Sequence, residues 1–64
     1  MTPDELRKIR EALGMTGRAM ARYIGVHEVH YYQLEGGRHP ITERTARQVL
    51  DLARRRVAES KGQT

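Results

Sequence analysis

Apolar residues recur along this chain at helical spacing, and four such stretches are separated by glycine, proline and threonine. Leu6, Ile9 and Leu13 form one stripe, which predicts a helix over about residues 3 to 13. Thr2 is placed to cap it, Pro3 sits at the first position where a missing N–H costs nothing, and Glu5 completes a T-x-x-E capping box. Gly14 then supplies a left-handed stop. Thr16 opens a second helix, about 16 to 24, with Met20, Ala21 and Ile24 inward and Gly25 at its end. A third helix, about 28 to 36, turns Tyr31 and Leu34 inward and stops at Gly37. After Pro40, Thr42 caps a last helix over about 43 to 58, whose apolar stripe is read as Ala46, Val49, Leu50, Ala53 and Val57. No strand pattern, repeat or linker interrupts this order, so the expected fold is an all-α, four-helix domain spanning residues 1 to 59. The segment SKGQT, residues 60 to 64, is expected to be a frayed tail.

With 64 residues, the chain makes at most one domain and buries only about 60% of the surface its unfolded form exposes. There is no cysteine, which removes disulfides and thiolate metal sites, so stability must come from helix packing, a few polar contacts or a second copy. No apolar run approaches the roughly 18 residues of a membrane span, and MTPDELRKIR has no signal-peptide core. A soluble cytoplasmic protein without a membrane partner is expected. The net charge of +4 is unevenly placed: up to Gly37 five basic residues balance five acidic ones, and beyond it seven face three. That excess suits a polyanion, and equally a merely soluble basic surface.

The stretch GVHEVHYYQLEGGR holds the candidate chemistry. His27 and His30 flank Glu28, but only two residues separate the histidines, one fewer than in the H-E-x-x-H zinc motif, and His39 lies beyond a loop. No metal, cofactor or small-molecule ligand is expected. The single serine lies in the tail and no glycine-rich phosphate loop is present, so the chain is not expected to be an enzyme. With Tyr31 and Leu34 inward, helical phase turns Glu28, Val29, Tyr32 and Gln33 outward together. That strip differs from the Lys, Arg and Glu of the chain's other wet faces and has the character of a reading surface.

The segment GMTGRAMARYIGVHEVHYYQLEGGRHP resembles the helix-turn-helix core of the phage repressor and Cro-like superfamily, the XRE type. More loosely, the chain resembles regulators associated with anti-CRISPR operons. The resemblance rests on Ala21 at a small helix-crossing position, Gly25 at the turn, Val26 after it, Leu34, and Glu35-x-Gly37, and extends over about residues 5 to 50. It implies double-stranded DNA as the partner, with the third helix in the major groove. Carried over by position, Glu28, Val29, Tyr32 and Gln33 are the base readers, with His27 at the edge. Phosphates are met by Thr16, Gly17 and Arg18 at the second helix, and by Arg38, His39 and Arg44 after the third. The resemblance also implies an ion pair between Arg10 and Glu35. The chain departs from the pattern at Gly17, where relatives carry glutamine, at Tyr31, where they carry valine or isoleucine, and at His27, where they carry Ser or Thr.

Leu52 falls off the edge of the last helix's apolar stripe, beside Thr45 and Gln48, and is read either as a lone surface leucine or as a homodimer contact. The expectation is a homodimeric, sequence-specific transcriptional regulator, a repressor from a phage or mobile element. The rivals are an antitoxin-type module that docks a second protein, and RNA binding through the same face.

Overall fold

The computed structural model describes residues 1–62 as four helices: α1 Pro3–Ala12, α2 Gly17–Ile24, α3 Glu28–Glu35 and α4 Glu43–Gly62. Among the described residues there is no strand. Each start follows from a side-chain cap. Thr2 Oγ1 accepts from the Glu5 amide and Thr16 Oγ1 from the Ala19 amide, both at 3.1 Å, while Thr42 Oγ1 accepts from the Thr45 amide at 3.2 Å. Each of these satisfies an amide that the helix itself cannot. The Thr2 hydroxyl also donates to the Glu5 carboxylate at 3.1 Å.

The first three helices end alike. In α2 the Val26 amide reaches back to the Ala21 carbonyl at 3.0 Å and the Gly25 amide to Arg22 at 3.3 Å, with Gly25 at φ +78°. This double bond pattern needs a left-handed residue, a conformation open to glycine at little cost. Gly14 and Gly37, at φ +69° and +78°, close α1 and α3 with the same pair of bonds.

The core comprises Leu6 of α1, Met20, Ala21 and Ile24 of α2, Tyr31 and Leu34 of α3, and Val49 and Leu52 of α4. Ile9, Leu13, Val26 and Ile41 pack around it, half-buried. Ala21 is 1% exposed, so a larger side chain there would have to displace its neighbours in the core. Exposed pairs one turn apart, Arg7 with Asp4, Lys8 with Asp4, Arg47 with Glu43 and Arg55 with Asp51, decorate the wet faces and add little stability.

Helix α4 corrects the expectation in two respects. Leu52, read as a surface or dimer residue, is 7% exposed and belongs to the core, whereas Leu50 and Val57, read as inward, are 44% and 54% exposed. The domain meets α4 along the ridge through Val49 and Leu52; Leu50 and Val57 lie on the adjacent ridge. The helix also runs through Gly62, past the expected end at about 58 and into the segment expected to fray. Gln63 and Thr64, the rest of that segment, lie outside the described residues. A 20-residue helix is about 30 Å long, and the molecule measures 40 × 20 × 18 Å, so the far end of α4 outruns the core. No helix among the described residues is long and apolar enough to cross a membrane.

Candidate nucleic-acid interface

Helix α3 is fixed from behind. Tyr31 is fully buried and Leu34 is 3% exposed, so the rotation of the helix about its axis is set by the core. The opposite side then carries Val29 at 61% and Tyr32 at 49% exposure, with Glu28 and Gln33 half-buried at its two edges. His27 precedes the helix with extended backbone, and its Nδ1 accepts from the Val29 amide at 3.2 Å. The imidazole therefore does the work of the expected Ser or Thr hydroxyl, and the Nδ1 it uses for the cap is not turned toward an ion shared with His30. His30 instead lies against His39, with ring centroids 5.2 Å apart and planes tilted by 34°.

A second constraint comes from the far end of α3. Arg10 Nε donates to Glu35 Oε2 at 2.6 Å and Arg10 Nη2 to Glu35 Oε1 at 3.2 Å, a two-pronged pair that joins α1 to α3. The side chains are only 18% and 10% exposed, so the charges depend on each other for solvation. The third prong, Arg10 Nη1, donates to the Met15 carbonyl at 3.1 Å and ties down the turn after α1. The hydrogen bonds that Arg10 donates to Glu35 hold the Arg10 pKa above its ordinary value. Burial pushes the Glu35 carboxyl upward, but the hydrogen bonds from Arg10, the nearby Tyr31 hydroxyl and the Arg10 charge outweigh it, and the net shift is downward. The Tyr31 hydroxyl is buried beside this pair with no partner at good hydrogen-bonding geometry. Its pKa is raised first by that burial and then by the Glu35 carboxylate, with Arg10 opposing.

The residues expected at phosphates occupy two places, both attached to α3. Thr16, Gly17 and Arg18 form the start of α2, where the Thr16 oxygen is committed to the Ala19 amide while the Gly17 and Arg18 amides belong to the unsatisfied first turn. Gly17 lies under the Tyr32 ring, a contact that spacing along the chain does not reveal. Arg38, His39 and Arg44 are exposed after α3, and His39 is held through His30, for which the sequence suggested no role. A helix with an outward polar and apolar strip, flanked by a helix N-terminus on one side and exposed cations on the other, has the parts of a major-groove reader.

Two short helices joined by a glycine turn, the second of them bearing this surface, define a helix-turn-helix DNA-binding domain. The chain belongs to the helix-turn-helix domain family, whose model matches residues 4–60. No curated protein and no solved structure matches it.

Proposed function

We propose that this domain is a sequence-specific regulator of transcription, a repressor of the phage repressor and Cro-like (XRE) kind, which binds a near-palindromic operator as a homodimer and performs no catalysis. The observation that carries the reading is the outward strip of α3: a 61%-exposed valine beside a glutamate, a glutamine and a tyrosine, on a helix locked from behind. The strip matches base edges in kind. Gln33 can hold adenine through N6 and N7, Glu28 can accept from cytosine N4, and Val29 can meet a thymine methyl. Arg18, Arg38 and Arg44 supply phosphate contacts on either side.

Selection of bound sequences from random duplex DNA tests this directly, since it returns site, spacing and symmetry together. A dimer presenting those three arginines on each copy should lose affinity with salt at a log–log slope of about −5. Gln33→Ala should relax preference at one base pair per half-site by roughly 1–3 kcal/mol. A selection that enriches nothing, or single-stranded RNA competing better than any duplex, would sink the reading.

The dimer surface follows the corrected phase of α4. Leu52 is in the core, so the contact moves from Leu52, Gln48 and Thr45 to Leu50, Ala53 and Val57, spaced three and four apart along an exposed ridge. That spacing lets two α4 helices pack side by side. A two-fold dimer would set its α3 helices about 34–36 Å apart, one turn of DNA. In sedimentation at micromolar concentration the wild type should run as a dimer and Leu50→Glu as a folded monomer with weakened operator binding. A wild-type monomer that instead captures one tight protein partner on this ridge would favour the antitoxin-type alternative.

A further inference from the structure

Gly17 is buried at the first position of α2, and what buries it is a side chain from another helix. A Cβ at this position would stand 2.5 Å from Tyr32 Cε1 and 2.6 Å from both Cζ and Oη, so a side chain here would force the ring off its seat. The outer edge of the ring, hydroxyl included, therefore rests on the Gly17 backbone. From below, the ring meets Tyr31 edge-on, with centroids 5.9 Å apart and planes at 70°. Tyr31 is fully buried. Tyr32 is thus held between the start of α2 and the innermost ring of the core, although half its surface is open to solvent. A side chain that reads bases must extend from its helix into the groove, and this one lies back across its neighbour.

We infer that Tyr32 is a positioning residue and not a base reader: it wedges α3 against α2 and fixes how Glu28, Val29 and Gln33 are presented, and position 17 must be glycine to seat it. This inference rests on the DNA-binding reading above. It reduces the base-facing set to those three residues, with His27 at the edge.

The test combines thermal melts with duplex selection for the wild type, Gly17→Ala, Tyr32→Phe, Tyr32→Ala and the double variant, with selection run at a temperature where circular dichroism shows each protein folded. Gly17→Ala should lower Tm in the wild-type background, where the methyl meets the ring. In the Tyr32→Ala background it should raise Tm, because alanine favours helix over glycine once the clash is gone. Tyr32→Phe keeps the wedge and should select the wild-type sequence. Folded Gly17→Ala and Tyr32→Ala should bind the wild-type site about tenfold more weakly and show degraded preference across all the base pairs facing Glu28, Val29 and Gln33. A mere loss of stability leaves the sequence selected by folded protein unchanged. The inference is overturned if Tyr32→Phe changes preference at a single base pair, since the phenol then reads a base. It is equally overturned if Gly17→Ala leaves both Tm and selected sequence unchanged, since the ring is then no wedge. A wild type that selects no DNA at all removes the DNA-binding reading and the positioning role with it, even where the melts show glycine and ring to be coupled. Intact selection with uncoupled melts removes the wedge alone.

Discussion

Glu35→Ala should destabilise the domain by about 2–4 kcal/mol in urea unfolding, because it strands a guanidinium that is mostly out of water. Arg10 and Glu35 are 18% and 10% exposed and share two hydrogen bonds across 25 positions of chain. A domain of this size holds about 3–10 kcal/mol in all, so the loss is a large part of its stability. Replacing both partners with apolar side chains should cost less than removing either alone, since no charge is then left without its partner. The pair also sets the acid limb of the stability curve. The folded-state pKa of Glu35 lies below its unfolded value, so its contribution is fully present above the unfolded value of about 4.3 and is lost as pH falls through the folded one. Glu35→Gln should therefore start less stable and lose less between neutral and acid pH. A cost below about 1 kcal/mol for Glu35→Ala would mean that the bridge has no more than the weight of a surface pair.

Leu52→Ala should cost about 2–4 kcal/mol, while Leu50→Ala, two positions away, should cost the monomer under about 1 kcal/mol. The contrast follows from burial: Leu52 is 7% exposed and part of the core, and Leu50 is 44% exposed. Deleting Leu52 removes transfer energy and leaves a cavity in a core that counts eight buried hydrophobic residues among those described, with little material to refill it. Measured at equal protein concentration, low enough to keep self-association out of the comparison, the two variants should differ by several degrees in Tm. Equal effects would return Leu52 to the surface.

These two residues also show how far local pattern reaches. Residues 46, 49, 50, 53 and 57 make a regular helical stripe, and nothing local separates them from the ridge through 49 and 52. Two adjacent apolar ridges are equally good helix faces, and only the position of α1 and α2 decides which one is buried. The resemblance pairs Arg10 with Glu35; that Arg10 also holds the Met15 carbonyl depends on the turn after Gly14 coming back to the helix it left. Tyr32 was legible as outward-facing from its phase, and half of its surface is exposed. Its seat on Gly17 was not, because that contact joins residues 15 apart through the angle between two helices.

The sequence by itself determined the element list and its punctuation. Threonine before each of three helices and glycine after each of the first three act through bonds within a few residues, so they carry their meaning without the fold. That Tyr31 and Leu34 share one face of α3 and Val29 lies on the other belongs to the same class, because helical phase fixes this whatever the helix packs against. Tertiary structure alone decided which ridge of α4 enters the core, what the His30 ring lies against, and whether Tyr32 reaches outward or lies across its neighbour. Each of these depends on distances between helices, and periodicity describes only one helix at a time.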